Sequence, residues 1–179
     1  MNNRELKRIY PNRLKEIYFD TGVYIFEYKK IRNLLLKYKF NNRSYLNKFF
    51  GSIILENKKA VGFMKSYDII IPVPTHKVKF NKRGYNQVAL MLKNLNSKKV
   101  QEDILLKIKH TKAQSTLSLK QRALNIKNVY YLSNPVKIKN KKVLIIDDVY
   151  TTGNTLNECS KVLKENGANY VGILTIAKD

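Results

Sequence analysis

A chain of 179 residues that is 44% hydrophobic is long enough for one packed domain with its own core and too short for two large ones. Its single cysteine, Cys159, excludes an internal disulfide and any paired-cysteine zinc site; no apolar run approaches the roughly 20 residues that span a bilayer, and the start MNNRELKRIY lacks the apolar stretch of a signal peptide, so a cytoplasmic protein without membrane insertion or zinc is expected. The net charge of +22, from 35 basic and 13 acidic side chains, favours phosphate-bearing partners.

Residues 1–23 carry no readable periodicity and stand as an unassigned N-terminal segment before a domain over residues 24–179. From Tyr28 to Phe40, apolar Ile31, Leu34, Leu35 and Tyr38 recur at i, i+3, i+4 and i+7 among Lys29, Lys30, Arg32, Lys37 and Lys39. That spacing predicts a basic amphipathic helix. A weaker helix is expected from Leu46 to about Leu55, and the two are expected to form a small N-terminal helical hood. Tyr67 to Val73, YDIIIPV, is a β-branched run stopped by proline, the pattern of a strand buried on both faces. Gln87 to Leu95 reads as a helix, Ile104 to Ile108 as a strand and Leu119 to Lys127 as a helix. Val129 to Leu132, Val143 to Asp147 and Tyr170 to Ala177 read as strands. Strands alternating with helices at this spacing predict an α/β fold with a mostly parallel central sheet and flanking helices. Ligands of such sheets bind beyond the carboxyl ends of the strands.

The charge is unevenly spread. Residues 1–66 carry 15 basic and 5 acidic groups, residues 67–140 carry 15 and 3, and residues 141–179 carry 5 and 5. Lysine (28) far outnumbers arginine (7), so drift in an AT-rich coding sequence competes with a nucleic-acid footprint as the source of the excess.

Val143 to Thr155, VLIIDDVYTTGNT, concentrates the chemistry. Four apolar residues lead to Asp147 and Asp148 where the strand is expected to emerge, and two adjacent carboxylates there are costly without a role. Thr155 and Glu158 match a capping box, which puts the helix start at Thr155. Leu156, Cys159, Val162 and Leu163 form its buried stripe, and Gly167 is placed to end it in a left-handed conformation. Thr151, Thr152, Gly153 and Asn154 then lie at the positive end of a helix, with free N–H groups, two hydroxyls and a glycine that lets the backbone approach a phosphate. A sugar attached to that phosphate would bring vicinal hydroxyls to Asp147 and Asp148. The bland alternative is a tight turn with an ordinary cap, against which stands the combination of all these pieces in 13 residues. Rival phosphate loops, GxxxxGK[ST] and GxGxxG, are absent. Upstream, Pro72 and Pro74 would stiffen the loop after the first core strand. A diphosphate could rest there against the N–H groups of Thr75, His76 and Lys77, neutralised by Lys77, Lys79, Lys82 and Arg83, with Gly84 letting the segment move as a lid.

VLIIDDVYTTGNT closely resembles the signature of type I phosphoribosyltransferases, which bind 5-phosphoribosyl 1-diphosphate (PRPP). The resemblance implies a type I phosphoribosyltransferase-like fold, with Asp147 and Asp148 facing the ribose hydroxyls and Thr151 to Thr155 holding the 5-phosphate. It also implies Mg2+ held largely by the diphosphate and the ribose rather than by protein ligands alone. Purine-salvage members usually carry aspartate where Thr151 stands, which argues against that subgroup. Three further stretches are similar to the ComF competence family, a branch associated with DNA uptake in transformation. They are IPVPTHKVKFNKRGYNQ (residues 71–87, with Arg83 to Gln87 as its R-G-[FY]-N-Q element), HTKAQSTLSLKQRALNIKN (residues 110–128, through Thr111, Gln114, Leu117, Arg122 and Asn125), and the Tyr28 to Phe40 helix. Members commonly carry an N-terminal cysteine zinc finger; here no cysteine precedes Cys159, so zinc is not carried over. The resemblance implies a PRPP-binding protein of DNA uptake. It would be either a transferase of unknown acceptor or a non-enzymatic protein handling single-stranded DNA with other competence proteins.

Overall fold

The computed structural model describes residues 5–40, 45–109 and 129–179. Its centre is a five-stranded sheet in the order β1-β2-β7-β6-β3, made of β1 (Lys7–Arg8), β2 (Thr21–Glu27), β7 (Tyr170–Lys178), β6 (Lys142–Tyr150) and β3 (Ile69–Pro72). The last four strands run parallel, and β1 closes one edge antiparallel to β2. Val143, Leu144, Ile145 and Ile146 are all fully buried, as a strand covered on both faces must be.

Strand pleating divides the core in two. Val143, Ile145, Val171 and Ile173 pack against Leu156, Cys159 and Leu163 of α6 (Asn154–Glu165), together with a small antiparallel pair, β4 (Leu105–Lys107) and β5 (Tyr130–Leu132). Leu144, Ile146, Leu174 and Ile176 pack against the other layer, which is α1 (Tyr28–Phe40), α2 (Leu46–Glu56), α3 (Lys58–Lys65) and α5 (Gln87–Leu92). Each side chain of this size buried there contributes about 1.5–3 kcal/mol.

The helix from Tyr28 to Phe40 has the expected bounds. The N-terminal helices lie over the second face of the sheet. Their stripe of Leu35, Tyr38, Phe50 and Ile54 is the cover the second face of the sheet requires. Tyr38 Oη donates to Gln87 O at 2.7 Å and Gln87 Nε2 donates to Tyr38 O at 2.9 Å, joining α1 to α5. The strands at 105–107 and 130–132 pair with each other outside the main sheet. The helix expected over 119–127, and the ComF-like positions 111, 114, 117, 122 and 125, lie outside the described residues. At the end of α6, Gly167 (φ 90°) is left-handed as expected, and Ala168 N–H donates to Leu163 O and Gly167 N–H to Lys164 O, each at 3.0 Å. This is the Schellman pattern.

The unassigned N-terminal segment enters the same core through Ile9 and Phe19. Beyond β1 it becomes a strap across α6. Tyr18 N–H donates to Asn157 Oδ1 at 2.8 Å, and Asn157 Nδ2 donates to Glu16 O at 2.9 Å. Asp20 Oδ2 accepts from Val171 N–H and pairs with Lys164, both at 2.7 Å. No helix among the described residues is long and apolar enough to cross a membrane.

Candidate functional site

Strand β6 continues past its expected end, carrying Asp147 and Asp148 in the sheet up to Tyr150. Asp147 lies across from Thr175, and Tyr150 across from Lys178. Adjacent strand residues face opposite ways, and the acids diverge accordingly. The charge of Asp147 acts on Lys107, Tyr130 and Cys159, on the α6 side. Burial raises the Tyr38 phenol first, with Tyr85 and Asp148 adding to it from the helical side. Asp148 N–H donates to Asp147 Oδ1 at 2.8 Å, which orients that carboxylate.

Residues 151–153 then turn into α6, which begins at Asn154 with Gly153 in the cap position at φ 80°, ψ −8° and no side-chain cap. The expected capping box does not open the helix. Gly153 takes the left-handed turn, Asn157 N–H donates to Gly153 O at 2.8 Å, and Thr155 already lies within the first turn. Glycine is required here twice over, because a Cβ would also collide with the Tyr150 phenol packed against it.

Thr152 is only 2% exposed, yet its hydroxyl has no hydrogen-bond partner among the described residues. Thr175 Oγ1 shares that condition, whereas Tyr130 Oη lies beside Cys159 and Thr155. Thr175 pairs with Asp147, Tyr130 feels the charge of Asp147, and Thr152 follows it in the loop. A buried hydroxyl left unpaired costs about 1–3 kcal/mol, and the two at Thr152 and Thr175 lie toward the carboxyl ends of β6 and β7.

On the β3 side, residues 77–83 form a helix, α4 (Lys77–Arg83), instead of the expected basic loop. His76 caps it, Nδ1 accepting from Val78 N–H at 3.2 Å, and Gly84 (φ 80°) ends it. Thr75 and His76 are half-buried, Lys77 is exposed and Lys82 lies within α4. Arg83 Nη1 donates to Gln87 Oε1 at 2.8 Å. Asn86 caps α5 by accepting from Val88 and Ala89 N–H groups at 3.0 and 3.4 Å, while its Nδ2 donates to Val73 O at 3.0 Å. The R-G-Y-N-Q element is therefore a joint between two helices, tied to the end of β3.

Lys107 is a residue of the site that sequence reasoning missed. Nothing in ILLKI singles it out; only the pairing of Lys107 with Tyr130 brings it to the Asp147 side of the sheet. Among the described residues no three His, Cys, Asp or Glu side chains lie close enough to hold a metal ion. A separate groove of about 510 Å³ runs along the β1 edge, lined by Lys7, Arg8, Tyr10 and Lys178 together with acidic Glu5, with Tyr10 72% exposed and Lys7 paired with Glu27 at 2.9 Å.

Residues 53–179 match the family described as the phosphoribosyl transferase domain. The chain is 31% identical over 158 residues to competence protein F of Haemophilus influenzae, covering 81% of this chain and 66% of that protein. It is 30% identical over 155 residues to competence protein ComFC of Streptococcus pneumoniae, covering 86% and 66%. It is 28% identical over 152 residues to the DNA utilization protein YhgH of Escherichia coli, covering 81% and 66%. The chain thus spans 66% of the length of these relatives. Among solved structures, a hypoxanthine phosphoribosyltransferase from Staphylococcus aureus superposes with a TM-score of 0.41 at 16% identity, covering 78% of this chain and 64% of that one.

Proposed function

Because the chain belongs to the phosphoribosyl transferase domain family, with ComF-type competence proteins among its relatives, we propose that it binds PRPP or a related phosphorylated ribose and acts in DNA uptake during natural transformation. Thr152 carries this conclusion: a buried, unpartnered hydroxyl in the loop that opens a 12-residue helix. A 5-phosphate seated at Thr151, Thr152, Gly153, Asn154 and Thr155 would take that hydroxyl, the first free N–H groups and the positive end of the helix dipole. Ribose hydroxyls would meet Asp147 on the α6 side, with Asp148 turned toward α1. The diphosphate would lie toward Thr75, His76, Lys77, Lys82 and Arg83, at the end of β3.

Magnesium suits this arrangement as an ion carried in by the ligand. The described residues offer no carboxylate cage, and magnesium commonly keeps substrate phosphates and water among its ligands. Bound there, it would offset the charge of the diphosphate. As a transferase the protein would pass the phosphoribosyl group to an acceptor with release of diphosphate.

Thermal unfolding in PRPP and Mg2+ tests the proposal. The midpoint should rise with ligand concentration, and Asp147→Asn with Asp148→Asn should abolish the rise; an unchanged rise in that double variant removes the ribose role. A second reading, a non-enzymatic protein that handles single-stranded DNA, is favoured by the β1 groove, where exposed Tyr10 stands among Lys7, Arg8 and Lys178. Stacking aromatics in a basic groove are how single strands are held without sequence readout.

A further inference from the structure

Strand β7 is buried from Val171 to Ala177, and Thr175 is the one polar side chain in that stretch. It is fully buried, and its Oγ1 has no hydrogen-bond partner among the described residues. Valine, of nearly the same shape, would avoid the cost of that hydroxyl, so packing alone gives no reason for threonine. The strand register identifies its neighbour. Val143 and Ile145 of β6, and Val171 and Ile173 of β7, turn toward α6. By the period of two, Asp147 and Thr175 continue those two rows on the same face. The two residues are direct partners in the parallel pairing. Neighbouring strands lie about 4.7–4.9 Å apart, so rotation about a single side-chain bond brings the Thr175 hydroxyl to the Asp147 carboxylate. Tyr24, the partner of Thr175 on its other side, already donates its hydroxyl to Glu27 Oε1 at 2.9 Å. Asp147 Oδ1 accepts from Asp148 N–H at 2.8 Å, and a carboxylate accepts at about four positions, so Thr175 can donate without displacing that bond.

We propose that Thr175 is a positioning residue: when a phosphorylated ribose binds, its hydroxyl donates to the Asp147 carboxylate from the neighbouring strand and fixes the orientation in which that carboxylate receives the ribose hydroxyls. This rests on the phosphorylated-ribose function above and adds the support that Asp147 needs to act in it. Thr175 is itself out of the ligand's reach, being fully buried, so its influence passes through Asp147 alone. The free protein carries the unpaired hydroxyl as a destabilising group, and the bound protein satisfies it. Groups that touch a ligand keep their geometry only where packing and hydrogen bonds behind them hold it.

Calorimetric titration with PRPP and Mg2+ of wild type, Thr175→Val, Thr175→Ser, Asp147→Ala and the variant carrying both Thr175→Val and Asp147→Ala tests this. Thr175→Val should weaken PRPP by about tenfold, the lower end of what a hydrogen bond to a charged group is worth, while its thermal midpoint without ligand stays equal or rises. Thr175→Ser keeps the hydroxyl and should bind within about threefold of wild type, well under the tenfold that 1.4 kcal/mol represents. In the Asp147→Ala background the valine substitution should cost less than about twofold, because residues that act through one another are not additive. Thr175→Val binding PRPP as tightly as wild type would overturn the role of Thr175. So would Thr175→Ser binding as weakly as Thr175→Val, the valine substitution costing the same factor with and without the Asp147 carboxylate, or a lower ligand-free midpoint in Thr175→Val. Wild type that binds no PRPP, or Asp147→Ala that binds it unchanged, overturns the phosphorylated-ribose reading itself, and this inference with it.

Discussion

Thr152 sits where packing wants an apolar shape and a ligand wants a donor. Thr152→Val keeps the shape and removes the unpaired hydroxyl, so the ligand-free protein should unfold at the same temperature or higher. The same variant should lose about tenfold to a hundredfold in affinity for PRPP, since a hydrogen bond to a charged group is worth about 1.5–3 kcal/mol. A threonine kept only for structure would show the reverse, a lower midpoint and unchanged affinity. Scanning calorimetry with and without ligand separates the two. Residues 151–153 were legible from sequence because their chemistry is local: hydroxyls and a glycine next to a helix start. Lys107 was not, because its surroundings are assembled from β5, β6, α4 and α6, none of them adjacent to it in the chain.

Among the elements, β6 and α6 are readable because four consecutive apolar residues and a stripe at helical spacing are local patterns that tertiary contacts only reinforce. The helix start was misread for a physical reason. Thr155 and Glu158 have the spacing of a capping box, but Gly153 can adopt a positive φ that lets the chain turn two residues earlier. Helix α4 was hidden by its basic composition, and its cap is His76, an uncommon choice. Strand β1 has two residues and no period to detect, and the strap after it is held by backbone and polar contacts. The strap predicts its own sensitivity: Asp20→Ala strips Val171 N–H of its acceptor and Lys164 of its carboxylate, leaving Lys164 the Asn169 carbonyl. The cost should be about 1–3 kcal/mol, seen as a midpoint lower by about 2–4 °C per kcal/mol in thermal unfolding of a chain this size.

For the molecule as a whole, the segment that builds β6, α6 and β7 is electrically balanced, with 5 basic and 5 acidic groups in residues 141–179, and the surplus of the +22 lies in the rest of the chain. A phosphate bound at residues 151–155 would therefore rely on oriented N–H groups and hydroxyls, while the broader field would act on larger anions. If the β1 groove follows a single strand, contacts from Lys7, Arg8 and Lys178 alone predict a slope of about −2 in log affinity against log salt. A titration of oligonucleotide binding from low to physiological salt reads that slope, and a flat line rules out the groove as a path for DNA. A slope much steeper than this assigns the contact to the wider lysine surface.

The lone thiol of Cys159 lies fully buried beneath α6, and burial, with Asp147 adding to it, raises its proton affinity well above that of a free thiol. It is thus a built-in clock for the opening of this layer. A thiol reagent can reach it only in molecules whose α6 has lifted from the sheet, so the labelling rate reports the frequency of that excursion. A phosphorylated ribose gripping the start of α6 should hold the helix down, and at about 100 times its Kd should slow the labelling by about a hundredfold. Ligand occupancy at one end of the helix would be timed by a native sulfur further along it, with no mutation introduced.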